Sequence, residues 1–346
     1  MPGRSIREPP VSAIEAGAAA GHTRPRIECR GERMRVIRIS MVSVLLVAAA
    51  SASAQAPVGP GKGESVLTMR VDGELSIDPE GRVMDYRITT KLDPQVEKLV
   101  RRAVPAWRFK PILVDGKAAI ATSPMRITLA AEEMAQGYRV TVDNVVFRPN
   151  TTQQYEAEQA SKKAHPRMSV AGEAPAPLVW ITSKRLQPPK YPSELQRVGV
   201  EGMVLLNLRL NPDGTVAEVF AAQSSLLNVK GGSSLLDRAR TMLERNASAA
   251  AKRWTFDVAS EGQSPLSAEA LTVRVPVDYM LGSPGAGPEG LTGTWRHEFR
   301  GPNLAAPWLP ADHASRVGVS DLNGNEMLAG VSPFELSDKS VIGKSL

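Results

Sequence analysis

Two four-residue segments, Asp78-Pro79-Glu80-Gly81 and Asn211-Pro212-Asp213-Gly214, constrain this chain more than any other feature. Proline presets the first central angle of a turn, and glycine accepts the left-handed conformation that other residues resist. Each segment joins two runs of alternating apolar and polar residues, so each reads as the turn of an antiparallel hairpin. Both hairpins are followed by a helical pattern and then by Trp-x-Phe, at Trp107-Arg108-Phe109 and Trp254-Thr255-Phe256. The chain therefore reads as two copies of one unit.

In the first copy Leu67, Met69 and Val71 alternate, Leu75 and Ile77 resume the pattern after Gly73, and residues 82–89 return as the partner strand. Asp93-Pro94 starts a helix, with Asp as N-cap and Pro where its missing N–H costs nothing. Val96, Leu99, Val100 and Ala103 share one face of it, and Pro105 stops it. Residues 123–129 alternate again, and 138–147 add one more strand. In the second copy Ser193 and Gln196 have the spacing of a capping box, so a short helix is expected over 193–198, closed by Gly199. Val204, Leu206, Leu208 and Leu210 share one face of a strand while Asn207 and Arg209 point the other way, the pattern of a sheet wet on one side. A Gly- and Ser-rich loop over 224–233 separates this hairpin from a helix whose start is marked by Ser234 and Asp237. Leu271, Val273, Val275, Val277 and Tyr279 then alternate without a break. Pro276 lies among them and cannot donate to a ladder, which places this last strand at a sheet edge. The fold class expected is α+β, as two small domains, each an antiparallel sheet of about three strands packed on one or two helices.

The rest of the chain reads as leader, linker and tail. From Met34 a basic lead, the apolar run MVSVLLVAAA and Ala52-Ser53-Ala54 before Gln55 have the layout of a secretory signal peptide. The run is about half the length of a membrane-spanning helix, so cleavage near Ala54/Gln55 and an exported mature chain are expected. Residues 1–33 lack periodicity and precede the signal, so translation is expected to start at Met34. Residues 55–63 and 150–177 have linker composition, enclosing a first unit over 64–149 and leading to a second over 178–281. Residues 282–346 open with a further Gly- and Pro-rich stretch and show no assignable period.

The whole chain carries a net charge of +6 and a pI near 9.5, which by itself suggests nucleic acid or a membrane surface. Residues 1–54 hold eight Arg and four Glu, so without them the charge falls to +2 and that argument lapses. The same cut removes Cys29, the single cysteine, and with it any disulfide or thiolate metal site. His22, His165, His297 and His313 fall in the leader, a linker and the tail, with neither H-E-x-x-H nor a paired spacing among them. No serine sits in G-x-S-x-G, and Gly231-Gly232-Ser233-Ser234 lacks the Lys of a phosphate-binding loop. No enzyme chemistry, cofactor, metal or nucleic-acid partner is expected.

The second unit resembles the C-terminal domain of TonB-family energy transducers. The residues that carry the resemblance are Pro189-Lys190-Tyr191-Pro192, Gly199 to Gly202, the strand from Met203 to Leu210, Pro212-Asp213-Gly214, Ser224-Ser225, Leu236-Asp237, Trp254 with Phe256, and Val275-Pro276-Val277. The first unit looks like a degenerate copy that keeps the turn, the helix and W-x-F-x-P but lacks Tyr-Pro and its helix. The resemblance implies a periplasmic domain that grips an extended segment of outer-membrane receptors. Leu271, Val273, Val275, Val277 and Tyr279 then form the edge strand that would add the peptide through main-chain hydrogen bonds. Tyr191, Pro192, Gly202, Pro212, Asp213, Gly214, Trp254 and Phe256 are the structural motif residues. The chain departs from the family in its cleavable-looking signal and in lacking a long Pro-, Glu- and Lys-rich spacer. The expectation is therefore a binding or adaptor protein whose partner is a TonB-dependent receptor or another envelope protein, peptidoglycan being a further partner. The alternatives are a transducer held in the membrane by an uncleaved signal, and a periplasmic enzyme with its site in the tail between Trp295 and Phe334.

Overall fold

Both turns form, and a glycine makes each of them. Gly81 has a φ of 77° and Gly214 one of 83°, and their N–H groups donate to Asp78 O and Asn211 O, both at 2.9 Å. The computed structural model describes residues 63–147, 168–170, 178–261, 265–281, 292–309, 317–324, 326–329, 332 and 334–346. The signal peptide expected over 34–54 and residues 1–33 before it lie outside these residues, as do the linkers expected over 55–63, 150–177 and 282–290 except for Gly63 and residues 168–170. Among the described residues no helix is long and apolar enough to cross a membrane.

The first copy consists of β1 (Glu64–Ile77), β2 (Val83–Ile88), α1 (Pro94–Ala103), the short β3 (Ile112–Val114) and β4 (Lys117–Ala118), β5 (Ala121–Met134) and β6 (Gly137–Phe147). A short strand β7 (Met168–Val170) pairs with β3. The second consists of β8 (Leu178–Arg185), α2 (Ser193–Arg197), β9 (Glu201–Leu210), β10 (Val216–Leu227), α3 (Ser233–Ala251), β11 (Thr255–Glu261) and β12 (Thr272–Tyr279). The copies match in pairing: β1 lies between β2 and β5, and β9 lies between β10 and β12. They match in detail as well. The Phe109 N–H donates to Gly81 O at 2.8 Å, and the Phe256 N–H donates to Gly214 O at 2.9 Å. A Cβ on Gly81 would lie 2.0 Å from Phe109 O, and one on Gly214 would lie 1.8 Å from Phe256 O. In each copy the Trp-x-Phe segment is thus laced to the hairpin turn, and only glycine lets the two backbones meet.

Each copy has its own core on the helix side of the sheet. Val71, Leu75, Ile77, Val96, Val100, Trp107 and Phe109 share the first, and Val204, Leu206, Leu208, Leu243, Ala247, Trp254 and Phe256 the second. Asp93 caps α1 as the sequence predicts, accepting from the Gln95 N–H at 2.8 Å. The capping box expected at Ser193 does not form. Pro192 is the N-cap, and its carbonyl accepts from Gln196 N–H, because Ser193 already lies inside the helix. Likewise α3 begins at Ser233 behind Gly232, and Asp237 turns instead to Arg240, one turn along.

The two small sheets expected from the repeat are halves of one nine-stranded sheet that also takes in two tail strands, β13 (Arg296–Arg300) and β14 (Leu328–Ala329), in the order β14-β12-β9-β10-β13-β1-β5-β6 with β2 on β1. Its joining strand, β13 (Arg296–Arg300), comes from the tail that showed no period. It pairs with β1 from Glu64↔Arg300 to Thr68↔Arg296, and with β10 from Ser225↔Arg300 to Leu227↔Glu298. For this reason β10 runs on to Leu227 where a loop was expected from Ser224: Leu226 and Leu227 are buried against the joining strand.

Most of the face expected to be wet is also covered, although Arg209 keeps 34 % of its side chain exposed beside Glu218. Asn207 is only 5 % exposed, and Thr68, Arg70, Arg126, Thr128 and Glu298 on the same side of the sheet are all but inaccessible. The tail forms the cover. Val317, Val319, Leu322 and Leu328 pack on Met203, Leu205, Ala222 and Leu227 of this face.

The tail also reaches strand edges elsewhere. β14 (Leu328–Ala329) pairs with β12, and Phe109 bridges to Leu336. At the far end of the sheet the Val142 N–H donates to Lys344 O at 3.1 Å, and the Leu346 N–H to Val140 O at 3.0 Å. Unpaired edge groups invite association with other strands, and a chain with two edges gains from closing both.

Candidate functional site

The five residues expected to form the docking edge lie on or beside β12, with their side chains in the core. Val273, Val275, Val277 and Tyr279 are packed against α3 and β9, and Leu271 just ahead of the strand is buried too. The Tyr279 hydroxyl donates to Asn246 Oδ1 on α3 at 2.7 Å. What β12 can offer a partner strand is therefore its backbone.

The register decides which backbone groups those are. Leu210 N–H donates to Leu271 O at 2.9 Å, and the opposed pairs continue through Val273↔Leu208, Val275↔Leu206 and Val277↔Val204. Hydrogen-bonded and non-hydrogen-bonded pairs alternate in an antiparallel ladder, so these odd-numbered residues face β9 and Thr272, Arg274, Pro276 and Asp278 turn their backbone groups outward. Pro276 thus stands where its missing N–H costs the β9 ladder nothing. On the outer side β14 covers only two residues, Val273↔Ala329 and Arg274↔Leu328. Among the described residues no strand pairs with β12 beyond Arg274 on that side.

The motif residues brace this edge. The Tyr191 hydroxyl donates to Val200 O, and its ring meets that of Tyr279 edge to face at 5.4 Å, holding the end of β12 to the start of β9. Burial pushes the Tyr191 phenol up to about 12, so it stays a donor at any working pH. The Trp254 indole N–H donates to Gln187 O at 2.7 Å and ties down the segment that leads to Tyr191 and Pro192. Gly202 gives β10 and α3 close approach: a Cβ there would lie 2.6 Å from Ser225 O and 2.8 Å from the Leu243 side chain. Asp213 accepts from the N–H and hydroxyl of Thr215 at 2.9 and 2.6 Å, stiffening the Pro212-Asp213-Gly214 turn.

Between sheet and tail lies a buried polar layer that the sequence reading missed. Arg126, fully buried, donates to Asp72 and Glu326 at 2.6 Å each and to Asp321 O at 2.7 Å. Arg70 donates to Ser320 O at 2.6 Å and to the Asn323 side chain, and burial, with Arg296 and Arg126 nearby, pulls its guanidinium down to about 9. Burial works against the Glu298 charge, but Arg296 and the hydroxyls of Thr68 and Ser320 outweigh it and hold that carboxyl below its ordinary value. For Asp321 burial prevails and raises the carboxyl, although Thr128, Asn144 and the Gly318 N–H all donate to it.

Asp278 connects this layer to the edge strand. Burial pushes its carboxyl up from 3.8 to about 6, against the pull of Arg70 and Arg296 and a hydrogen bond from Gly324 N–H. The folded chain then holds this proton more tightly than the unfolded chain does. Its ionised form therefore opposes folding above about pH 6 and has no effect below about pH 4, so stability falls as pH rises through this window. Asp278→Asn is expected to raise stability at pH 7.5 by up to about 3 kcal/mol, the equivalent of a two-unit shift. It should also flatten the decline between pH 4 and 6. Urea midpoints at both ends of the window test this, and an unaltered slope would refute it.

Among the described tail residues, His297 and one cleft come nearest to the chemistry of the enzyme alternative. His297 Nε2 lies 2.6 Å from Ser65 Oγ, but its Nδ1 is buried without a hydrogen-bond partner. A general base needs a third group there to orient the ring and stabilise its charge. A cleft of about 460 Å³ is lined by Glu64, Asp143, Asp321 and Arg300, and its one guanidinium is taken up by two of the carboxylates: Arg300 donates to Asp143 at 2.6 Å and to Glu64 at 2.8 Å. No cluster of potential metal ligands occurs among the described residues.

Residue parity is the signal that finds the outward set. Proline is tolerated where an N–H has no ladder partner, so its alternate neighbours Arg274 and Asp278 share its outward backbone. No local signal marks Leu328 and Ala329.

Comparison with known proteins places this unit. Residues 187–281 match the family model of the Gram-negative bacterial TonB protein C-terminal. Two curated relatives, each called Protein TonB and each from a strain of Xanthomonas campestris pv. campestris, are 36% identical over 104 residues. The aligned stretch is 30% of this chain and 39% of each relative, so the chain spans well under half the length of the relatives it matches. No solved structure matches. Residues 187–281, from the segment tied to Trp254 to the end of β12, are a TonB-family C-terminal domain.

Proposed function

We propose that this chain is a non-catalytic binding or adaptor protein of the periplasm that grips an extended segment of an outer-membrane TonB-dependent receptor by adding it as a strand to β12. The observation that carries this reading is the coincidence of the family match, which ends just past β12, with a strand whose outer side is paired at only two residues. Main-chain hydrogen bonds to the outward groups of Arg274, Pro276 and Asp278 would supply affinity, and side chains at the rim would select the sequence. The envelope location follows the family and the secretory layout of the leader.

Proline at Val275 or Val277 does not test this grip, because their N–H groups face β9 and the change would break the domain itself. Methylating the peptide is cleaner. A receptor-derived peptide N-methylated at every second residue is expected to lose at least about tenfold in affinity in one phase and little in the other, since each lost pairing with an unsatisfied partner costs about 1–3 kcal/mol. Equal binding of the two phases, measured by calorimetry, would rule out strand addition.

A further inference from the structure

The tail strand β14 sits on the same backbone edge that a partner would need. Arg274 faces Leu328 across the outer side of β12, and because Arg274 turns its backbone groups away from β9 this is the hydrogen-bonded pair of the short ladder. The side chains alternate as those of an added strand should. Leu328 is buried in the cluster of Met203, Leu205, Val317, Val319 and Leu322 on the roofed face, while Met327 and Ala329 pack on the helix-side core. The segment is moored just ahead of the strand, where Glu326 accepts from Arg126 at 2.6 Å and Asn323 accepts from Arg70.

We propose that residues 326–329 are a built-in ligand of β12, so that a partner binds by exchange with the tail. The structure of the ligand then describes the partner: an extended segment running antiparallel to β12, with an apolar residue in the place of Leu328 and apolar neighbours on both sides. Three apolar side chains in a row are unusual in a solvated segment, and here each has a defined seat. The inference deepens the strand-addition reading of β12 and rests on it. An edge occupied by its own chain binds a competitor with an affinity reduced by the fraction of time it is open.

The test uses the full chain and a fluorescent peptide copying residues 321–332. Wild type is expected to bind it at least about tenfold more weakly than Leu328→Asp, whose own strand is released. The same peptide carrying aspartate at the position of Leu328 is expected to bind neither. Circular dichroism checks that the variant folds; if it does not, Leu328→Ala replaces it, with a gain of about threefold expected. Equal affinity for wild type and variant, or binding of the aspartate peptide, overturns the proposal. A receptor-derived peptide in the same assay separates the two readings. If the tail peptide exchanges and the receptor peptide binds neither chain, the receptor assignment falls and the built-in ligand stands. If the receptor peptide binds wild type and Leu328→Asp alike, the built-in ligand falls and the receptor assignment stands.

Discussion

Replacing Gly214 by alanine is expected to cost at least about 3 kcal/mol, where the same change at Gly116 should cost about 1–2 kcal/mol. Both glycines have positive φ, 83° and 77°, so both substitutions carry the left-handed penalty of an L residue. They differ in what the new methyl group meets. At Gly116 nothing lies within 4 Å, whereas at Gly214 the Cβ would lie 1.8 Å from Phe256 O. A backbone carbonyl cannot turn aside as a flexible side chain can, so the turn and the Trp-Thr-Phe segment must separate. That separation breaks the hydrogen bond from the Phe256 N–H to Gly214 O and loosens the packing of Trp254 and Phe256, both buried in the second core. Gly81, with its Cβ position 2.0 Å from Phe109 O, should behave like Gly214 and damage the first copy instead. Chemical denaturation of the three variants tests the argument, and equal losses at Gly116 and Gly214 would refute it.

Arg126→Ala is expected to lose about 3–5 kcal/mol, the usual cost of removing one partner of a buried ion pair. The guanidinium is fully buried and serves two carboxylates from different parts of the chain, Asp72 on β1 and Glu326 before β14. The guanidinium holds its proton more tightly than an arginine in water: burial works against its charge, but Asp72 and Glu326 outweigh burial. Without it Asp72 and Glu326 lie beneath the roof with no guanidinium between them. Adding Asp72→Asn and Glu326→Gln to the alanine variant should recover much of the loss, since the penalty lies in the stranded charges. If the single variant is as stable as wild type, the polar layer contributes nothing. The same substitution should speed hydrogen exchange in residues 321–329, because Arg126 also holds Asp321 O.

The polar layer shows why part of this fold was hidden. Thr68, Arg70 and Asp72 alternate with Met69 and Val71 along β1, and a strand with such a pattern reads as half-solvated. An arginine in water and an arginine paired under a roof have the same residue type and the same spacing. Only the arrival of Ser320, Asn323 and Glu326, some two hundred residues or more along the chain, distinguishes them. The same reason hid β13. Its five residues carry no strand period worth the name, yet they complete a sheet because β1 and β10 leave their edges open on either side.

The site was half legible for a related reason. Pro276 marked β12 as a strand with one idle side, and the structure puts its backbone on that side. The alternating apolar residues were legible as one face, but periodicity assigns a face without saying whether it meets the core or a partner. Packing against α3 gave it to the core.

The sequence by itself determined what depends on neighbours along the chain: two hairpin turns with their positive-φ glycines, the capped α1, the strand periods, and the internal repeat. These are set by dihedral preferences and by burial of one face, which act over a few residues. Tertiary structure alone decided that the two copies share one sheet, that its second face is roofed, and that the edge of β12 is partly filled by the chain's own tail. Those outcomes rest on contacts between segments far apart in sequence, whose charges and edge groups are satisfied only when the distant segment arrives.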